Sequence, residues 1–194
     1  MSTRERILNG ALRAYAGRGF EATSLDSLAA DVGVTKQTIL YWFVSKDALL
    51  DALIDRSAIE LAEVLEGALA AETKGFDRVA AIVRSVFRLA GRRPELLGFI
   101  REVSRLGPPA ATQLMGRLDP LLQRATAFLA NGMDAGTFRR QDPRLLLLST
   151  YSTVVGVATE VEVLRGLGIE PTARSLALRR RELLAFLGSA LLAN

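Results

Sequence analysis

The chain has 194 residues, 49% of them hydrophobic and 6% aromatic, with 25 Lys and Arg against 21 Asp and Glu, a net charge of +4, and neither His nor Cys. No Ser-His or Cys-His nucleophile pair, Cys/His zinc site or disulfide can be built from that inventory, which leaves an enzyme only carboxylate, Ser-Lys or carboxylate-metal routes. The basic balance points to a polyanionic partner only if the charge is placed for one, and residues 1–50 hold six cations against five anions.

Helical spacing recurs from end to end, and no alternating strand pattern stands out. Ser2 and Glu5 have the spacing of a capping box, followed by Ile7, Ala11, Ala14 and Tyr15 at helical intervals up to Gly17 and Gly19. Thr23 with Asp26 marks the start of a second, short helix that stops near Gly33. Thr35 can cap a third through Ile39, Leu40 and Phe43, and Ser45 a long fourth through Leu49, Leu53 and Ile59. Further helices are expected from Gly75 to Gly91, from Pro94 to Gly107, and over 110–135 with a kink or break at Pro120. Asp142-Pro143 caps the next, and Thr172 opens the last, for about nine helices in all. Residues 145–159 are uncharged, but their Ser and Thr content and shortness predict a buried helix and no bilayer span. Residues 1–10 lack an apolar stretch behind a basic start, which predicts a cytoplasmic protein without contact with a membrane.

Two short helices over about 24–43, separated by a tight turn, have the length and turn chemistry of a helix-turn-helix. Ile39 and Phe43 give the second helix an inward face, while Lys36, Gln37 and Tyr41 lie largely outward, as entry into a major groove requires. The run Gly19-Phe20, Thr23-Ser24, Leu28-Ala29, Val32 to Lys36, Thr38-Ile39, Phe43, Ser45-Lys46 and Ala48-Leu49 resembles the N-terminal domain of the TetR family of bacterial transcriptional regulators. The resemblance implies an all-α protein. Residues 1–50 would be a three-helix DNA-binding head, and 51–194 a larger helical body for effector binding and dimerisation. It further implies that Thr23, Ser24, Thr35 and Lys46 anchor phosphates, that Lys36, Gln37, Thr38 and Tyr41 face base edges or nearby backbone, and that Trp42 flanks them. This chain has Leu40 where the family usually places a backbone-touching Tyr, with Tyr41 one position later. Gln37 stands where many members have Gly, and its long amide could read adenine.

In the body, Leu147, Tyr151, Val154, Ala158 and Val161 form one stripe and Leu176, Leu183, Leu187 and Ala190 another. The resemblance implies that the last two helices pair with those of a second copy, with Leu147, Val154, Ala158, Val161, Leu183, Leu187 and Ala190 in the interface. Two-fold symmetry then predicts an inverted-repeat operator on double-stranded DNA. Phe87, Phe99, Val103, Met115, Leu118 and Tyr151 are candidates for the lining of a pocket holding a small hydrophobic organic effector. Arg84, Arg88, Arg92, Arg101 and Arg105 would suit an acidic ligand, although a solvated cationic face is the commoner fate of such a series, as it is for Arg179, Arg180 and Arg181. The function expected is therefore a ligand-responsive repressor acting as a homodimer, not an enzyme, with no cofactor and no metal. The alternative is an all-helical enzyme or an interaction module with an incidental helix-turn-helix. Absent thiols and imidazoles, the absence of a GxxxxGK[ST] loop and the unsuitable spacing of Glu160 and Glu162 count against the enzyme.

Overall fold

The computed structural model describes residues 1–69 and 74–193 and is all-α, with ten helices and no strand among them. The helices are α1 (Thr3–Arg18), α2 (Leu25–Val32), α3 (Lys36–Trp42), α4 (Lys46–Leu69), α5 (Gly75–Arg92), α6 (Pro94–Leu106), α7 (Ala110–Asp134), α8 (Pro143–Thr159), α9 (Val161–Gly166) and α10 (Ala173–Leu191). They form two compact units, one of Met1–Glu60 with Glu95–Leu118 and a second of Leu61–Pro94 with Asp119–Asn194. The division expected near residue 50 falls inside the first unit, because α6 and the start of α7 cluster with the N-terminal helices.

The first unit begins with the capping box read from the sequence: the Ser2 N–H donates to Glu5 Oε2 at 2.8 Å and the Glu5 N–H to Ser2 Oγ at 3.2 Å. The second cap lies one residue later than expected. Ser24, not Thr23, accepts the Ser27 N–H at 3.0 Å and starts α2. α2 ends at Gly33, whose φ of 69° is left-handed and open to glycine without strain. Thr35 then caps α3, taking the Thr38 N–H at 3.1 Å, and Ser45 takes the Ala48 N–H at 3.0 Å at the start of α4. Ile7, Leu8 and Leu12 of α1, Leu28 of α2, Ile39 of α3 and Leu49 and Leu53 of α4 are buried and form the core beneath these short helices. Burial of such side chains supplies about 1.5–3 kcal/mol each, which a seven-residue helix cannot obtain from its own hydrogen bonds.

In the second unit α5, α8 and α10 pack together. Val79, Val83 and Phe87, Leu146, Val154 and Ala158, and Leu183, Leu187 and Leu191 are the buried faces of the three. The turn after α7 is tied to the C-terminal end by Phe138, which is buried and bridges Leu192. The Arg139 N–H adds a 2.9 Å bond to the Leu191 carbonyl.

Three expectations change. α7 runs through Pro120 as one helix, so of the kink or break expected there the break does not occur. Pro120 and Gly116, the residue whose carbonyl the proline leaves unbonded, are both exposed, so water can take that carbonyl. The tenth helix arises because the helix over 143–165 is interrupted at Glu160. There the buried Arg179 of α10 donates from Nη1 to the carbonyls of Val157 and Ala158, the orphan acceptors of the last turn of α8. Arg179 is thus a helix cap and no part of a solvated face, and burial lowers the pKa of its guanidinium. Finally, α8 is buried along one side only, with Leu145, Leu148 and Tyr151 exposed. No helix among the described residues is long and apolar enough to cross a membrane.

Candidate nucleic-acid interface

The caps at Ser24 and Thr35 consume hydroxyl lone pairs on their own helix starts while leaving both side chains at the surface. Thr35 Oγ1 and Thr38 Oγ1 share a further hydrogen bond at 2.9 Å. Thr23 is different. It is 1% exposed, its hydroxyl donates to the Gly19 carbonyl at 2.8 Å and its N–H to the Phe20 carbonyl at 3.1 Å. Both of its donors are used inside the α1–α2 turn, so the phosphate anchor implied for Thr23 becomes a turn lock, since a threonine has no third donor to offer an anion.

On α3, Lys36, Gln37, Tyr41 and Trp42 are exposed and Thr38 is partly so, while Ile39 faces the core. Leu40 is half-buried, and Tyr41 is 81% exposed. An exposed aromatic side chain therefore stands at 41 and not at 40. Trp42, 43% exposed, meets Tyr41 edge to face with centroids 5.4 Å apart, so it belongs to this surface. Lys36 Nζ lies 2.9 Å from Asp26 Oδ2 on α2, with both side chains largely in solvent. Such a surface pair is worth about 0–1 kcal/mol.

Lys46, in the first turn of α4, points its Nζ at the ring of Phe20, 4.2 Å from the centroid, and at the Glu21 carbonyl, 3.4 Å away. A second cation, Arg4, lies over the Phe43 ring at 5.3 Å and is exposed. The sequence has no motif that singles out a lone arginine near a chain start, and only the packing of α1 brings it against the end of α3. Arg18, by contrast, is paired with Asp31, and Arg6 donates to the Val32 carbonyl at 2.9 Å.

The residues named for an effector pocket fall in both units. Phe99, Val103 and Leu118 are buried in the first, where Met115 is exposed. Phe87 is buried in the second, where Tyr151 is exposed. Phe99 stacks on Tyr15 with centroids 6.4 Å apart. Arg84, Arg88, Arg92, Arg101 and Arg105 are all exposed. Arg88 donates to Ser85 Oγ at 2.6 Å, and Arg105 is engaged by Glu102. Of the residues named for a dimer interface, Val154, Ala158, Leu183 and Leu187 are buried within the second unit itself and are closed to a partner. Leu147 and Val161 are half-buried, and Ala190 is exposed.

A polar, capped recognition helix on a small apolar core, joined to further helices, defines a helix-turn-helix DNA-binding protein. The family models agree: residues 7–53 match that of the bacterial regulatory proteins of the tetR family, and residues 72–159 match a tetracyclin repressor-like C-terminal domain. The chain belongs to the TetR family and is a DNA-binding transcriptional regulator. It is 26% identical over 170 residues to the HTH-type transcriptional regulator RutR of Escherichia coli K12, covering 84% of this chain and 78% of RutR. Its fold is similar to that of the ketosteroid transcriptional regulator KstR2 of Mycobacterium tuberculosis, with a TM-score of 0.79 at 18% identity over 100% of this chain and 96% of that one. It also resembles FadR of Bacillus subtilis, solved in complex with stearoyl-CoA, with a TM-score of 0.74 at 20% identity over 94% and 96% of the two chains.

Proposed function

We propose that this regulator is a repressor that binds an inverted-repeat operator as a homodimer and is released by a small hydrophobic organic effector. The observation that carries the reading is the exposed side of α3, where Lys36, Gln37 and Tyr41 project from a helix whose other side is locked by Ile39. Gln37 reads a base edge, Ser24, Thr35, Lys46 and Arg4 hold flanking phosphates, and Tyr41 and Trp42 pack along the backbone.

Pairing uses the second apolar stripe of the last helices. Leu145, Leu148 and Tyr151 on α8 and Leu178 and Phe186 on α10 are 45–63% exposed. These are large apolar side chains on two helices of one unit, the kind of surface that marks an interface. The ligand is an apolar or acyl-bearing molecule. The support is the likeness in fold to FadR of Bacillus subtilis, solved in complex with stearoyl-CoA. An effector releases DNA only if it prefers the conformation that does not bind.

The test is a gel shift with DNA from directly upstream of the gene, repeated with Gln37→Ala. The expected result is a specific complex that the substitution weakens or whose sequence preference it relaxes. Unchanged affinity and preference would remove α3 as the reading element.

A further inference from the structure

Glu102 stands on α6, 82 residues beyond Phe20, yet within the first unit its Oε1 accepts the Phe20 N–H at 2.8 Å. Arg105 grips the same carboxylate from Nε and Nη2 at 2.8 and 2.9 Å, and the Glu102 side chain is only 11% exposed. The approach is close on both sides. A Cβ on Gly19 would come within 3.1 Å of Glu102 Oε1, and one on Gly98 would meet Ala16 Cβ at 3.3 Å. With the Tyr15–Phe99 stack, α6 is fixed to the end of α1 and to the turn that follows it by backbone contact, ring contact and a charge-assisted hydrogen bond.

Phe20 carries this placement onward. Its ring is 8% exposed, set edge to face against Tyr15 at 5.2 Å, and it underlies the Lys46 ammonium. A flexible lysine stem loses rotamer entropy on binding. An aromatic face and a carbonyl that hold the ammonium beforehand reduce that loss. We propose that Glu102 is a positioning residue for DNA binding, setting through the Phe20 backbone and ring where Lys46 meets a phosphate. The proposal rests on the reading of Lys46 as a phosphate contact given above.

A double-mutant cycle tests it, with the full chain titrated into a labelled duplex of the upstream DNA over about 50–200 mM salt and, because phosphate contacts are independent of sequence, into a random duplex as a second probe. Lys46→Ala is expected to weaken binding about five- to tenfold and to lower the salt slope by about 0.9. Glu102→Ala should do the same, and the double variant should be no worse than either. Glu102→Gln, which keeps an acceptor for the Phe20 N–H, should bind within about twofold of wild type. A merely structural Glu102 would lower the melting temperature without coupling to Lys46. Wild-type affinity in Glu102→Ala, or effects of Glu102→Ala and Lys46→Ala that multiply, would overturn the proposal. Lys46→Ala without effect would instead remove the phosphate reading on which it rests. Should Glu102→Ala fail to fold, the cycle of Phe20→Leu with Lys46→Ala reads the same coupling through the ring, and multiplying effects there overturn it equally.

Discussion

The two units expose different chemistry. The first displays a lysine, an amide, hydroxyls and an edge-to-face aromatic pair around α3, whereas the second displays five large apolar side chains, Leu145, Leu148, Tyr151, Leu178 and Phe186, among the polar residues of α8 and α10. Each surface suits a different partner. A polyanion with polar groove edges is read by polar groups whose backbone is fixed by caps, because a donor that must still be ordered wastes its binding energy. The interface proposed for a second copy would use apolar area, which α8 and α10 offer because each keeps large apolar side chains exposed after its first side is buried.

The largest expected effect breaks that contrast at its apolar end. Leu148→Glu and Phe186→Glu alter exposed positions, so each variant should fold, sediment as a monomer and lose about 100-fold or more in operator affinity as the two heads become unlinked. Dimers of unchanged affinity would show that the exposed stripe is not where copies meet. Leu183→Ala probes the opposite side of α10. At 4% exposure it should cost about 2–5 kcal/mol in urea unfolding. If it left unfolding alone and weakened association instead, the inward and outward assignments of α10 would have to be exchanged.

At the polar end the effects are smaller. Gln37→Ala should cost about 1–3 kcal/mol at one base position and relax preference there, measured by competition with operator variants. Lys36→Ala should cost less and lower affinity evenly across sequences, because Lys36 is already satisfied by Asp26 in the free protein. A base-specific loss from Lys36→Ala would exchange the two roles.

The same contrast explains what was legible beforehand. Ser2 with Glu5, Gly33 and Thr35 act on residues three or four away, so the first three helices and the outward side of α3 could be read from spacing alone. In α8 the run of Leu145 to Leu148 covers every direction around the helix, so periodicity could not choose between the inward Leu146 and the outward Leu145 and Leu148. Of the residues read as a pairing surface, Val154, Ala158, Leu183 and Leu187 are consequently buried within the second unit, whereas Leu147 and Val161 are half-buried and Ala190 is exposed. Arg179 and Glu102 were hidden for another reason: each satisfies backbone groups 21 or more residues away, a relation without a local signal. The displaced α2 cap shows the limit of even local reasoning, since Thr23 and Ser24 are both good caps and only the turn's packing decides which is buried.

The smallest effect concerns the carboxylate that holds the α1–α2 turn. Hydrogen bonds from Arg105, reinforced by the Phe20 N–H, hold the Glu102 carboxyl below its ordinary value of 4.5 against the opposing pull of partial burial. In the unfolded chain those partners are gone, and the carboxyl takes up a proton more readily. The folded state is therefore favoured in full above about pH 4.5, and this contribution drains away as the pH falls below that through the lowered value. Glu102→Gln does not titrate. Urea unfolding followed from pH 7 down to about pH 3.5, one unit below the ordinary value of 4.5, should show wild type losing stability more steeply than the variant in the acid part of the range. Glu5 and Asp142 are held low by helix-start hydrogen bonds and contribute equally to both proteins, so the difference isolates Glu102. Parallel curves would mean that the carboxylate on α6 is as free in the folded chain as in the unfolded one, and that its charge adds nothing to the acceptor it offers the Phe20 N–H.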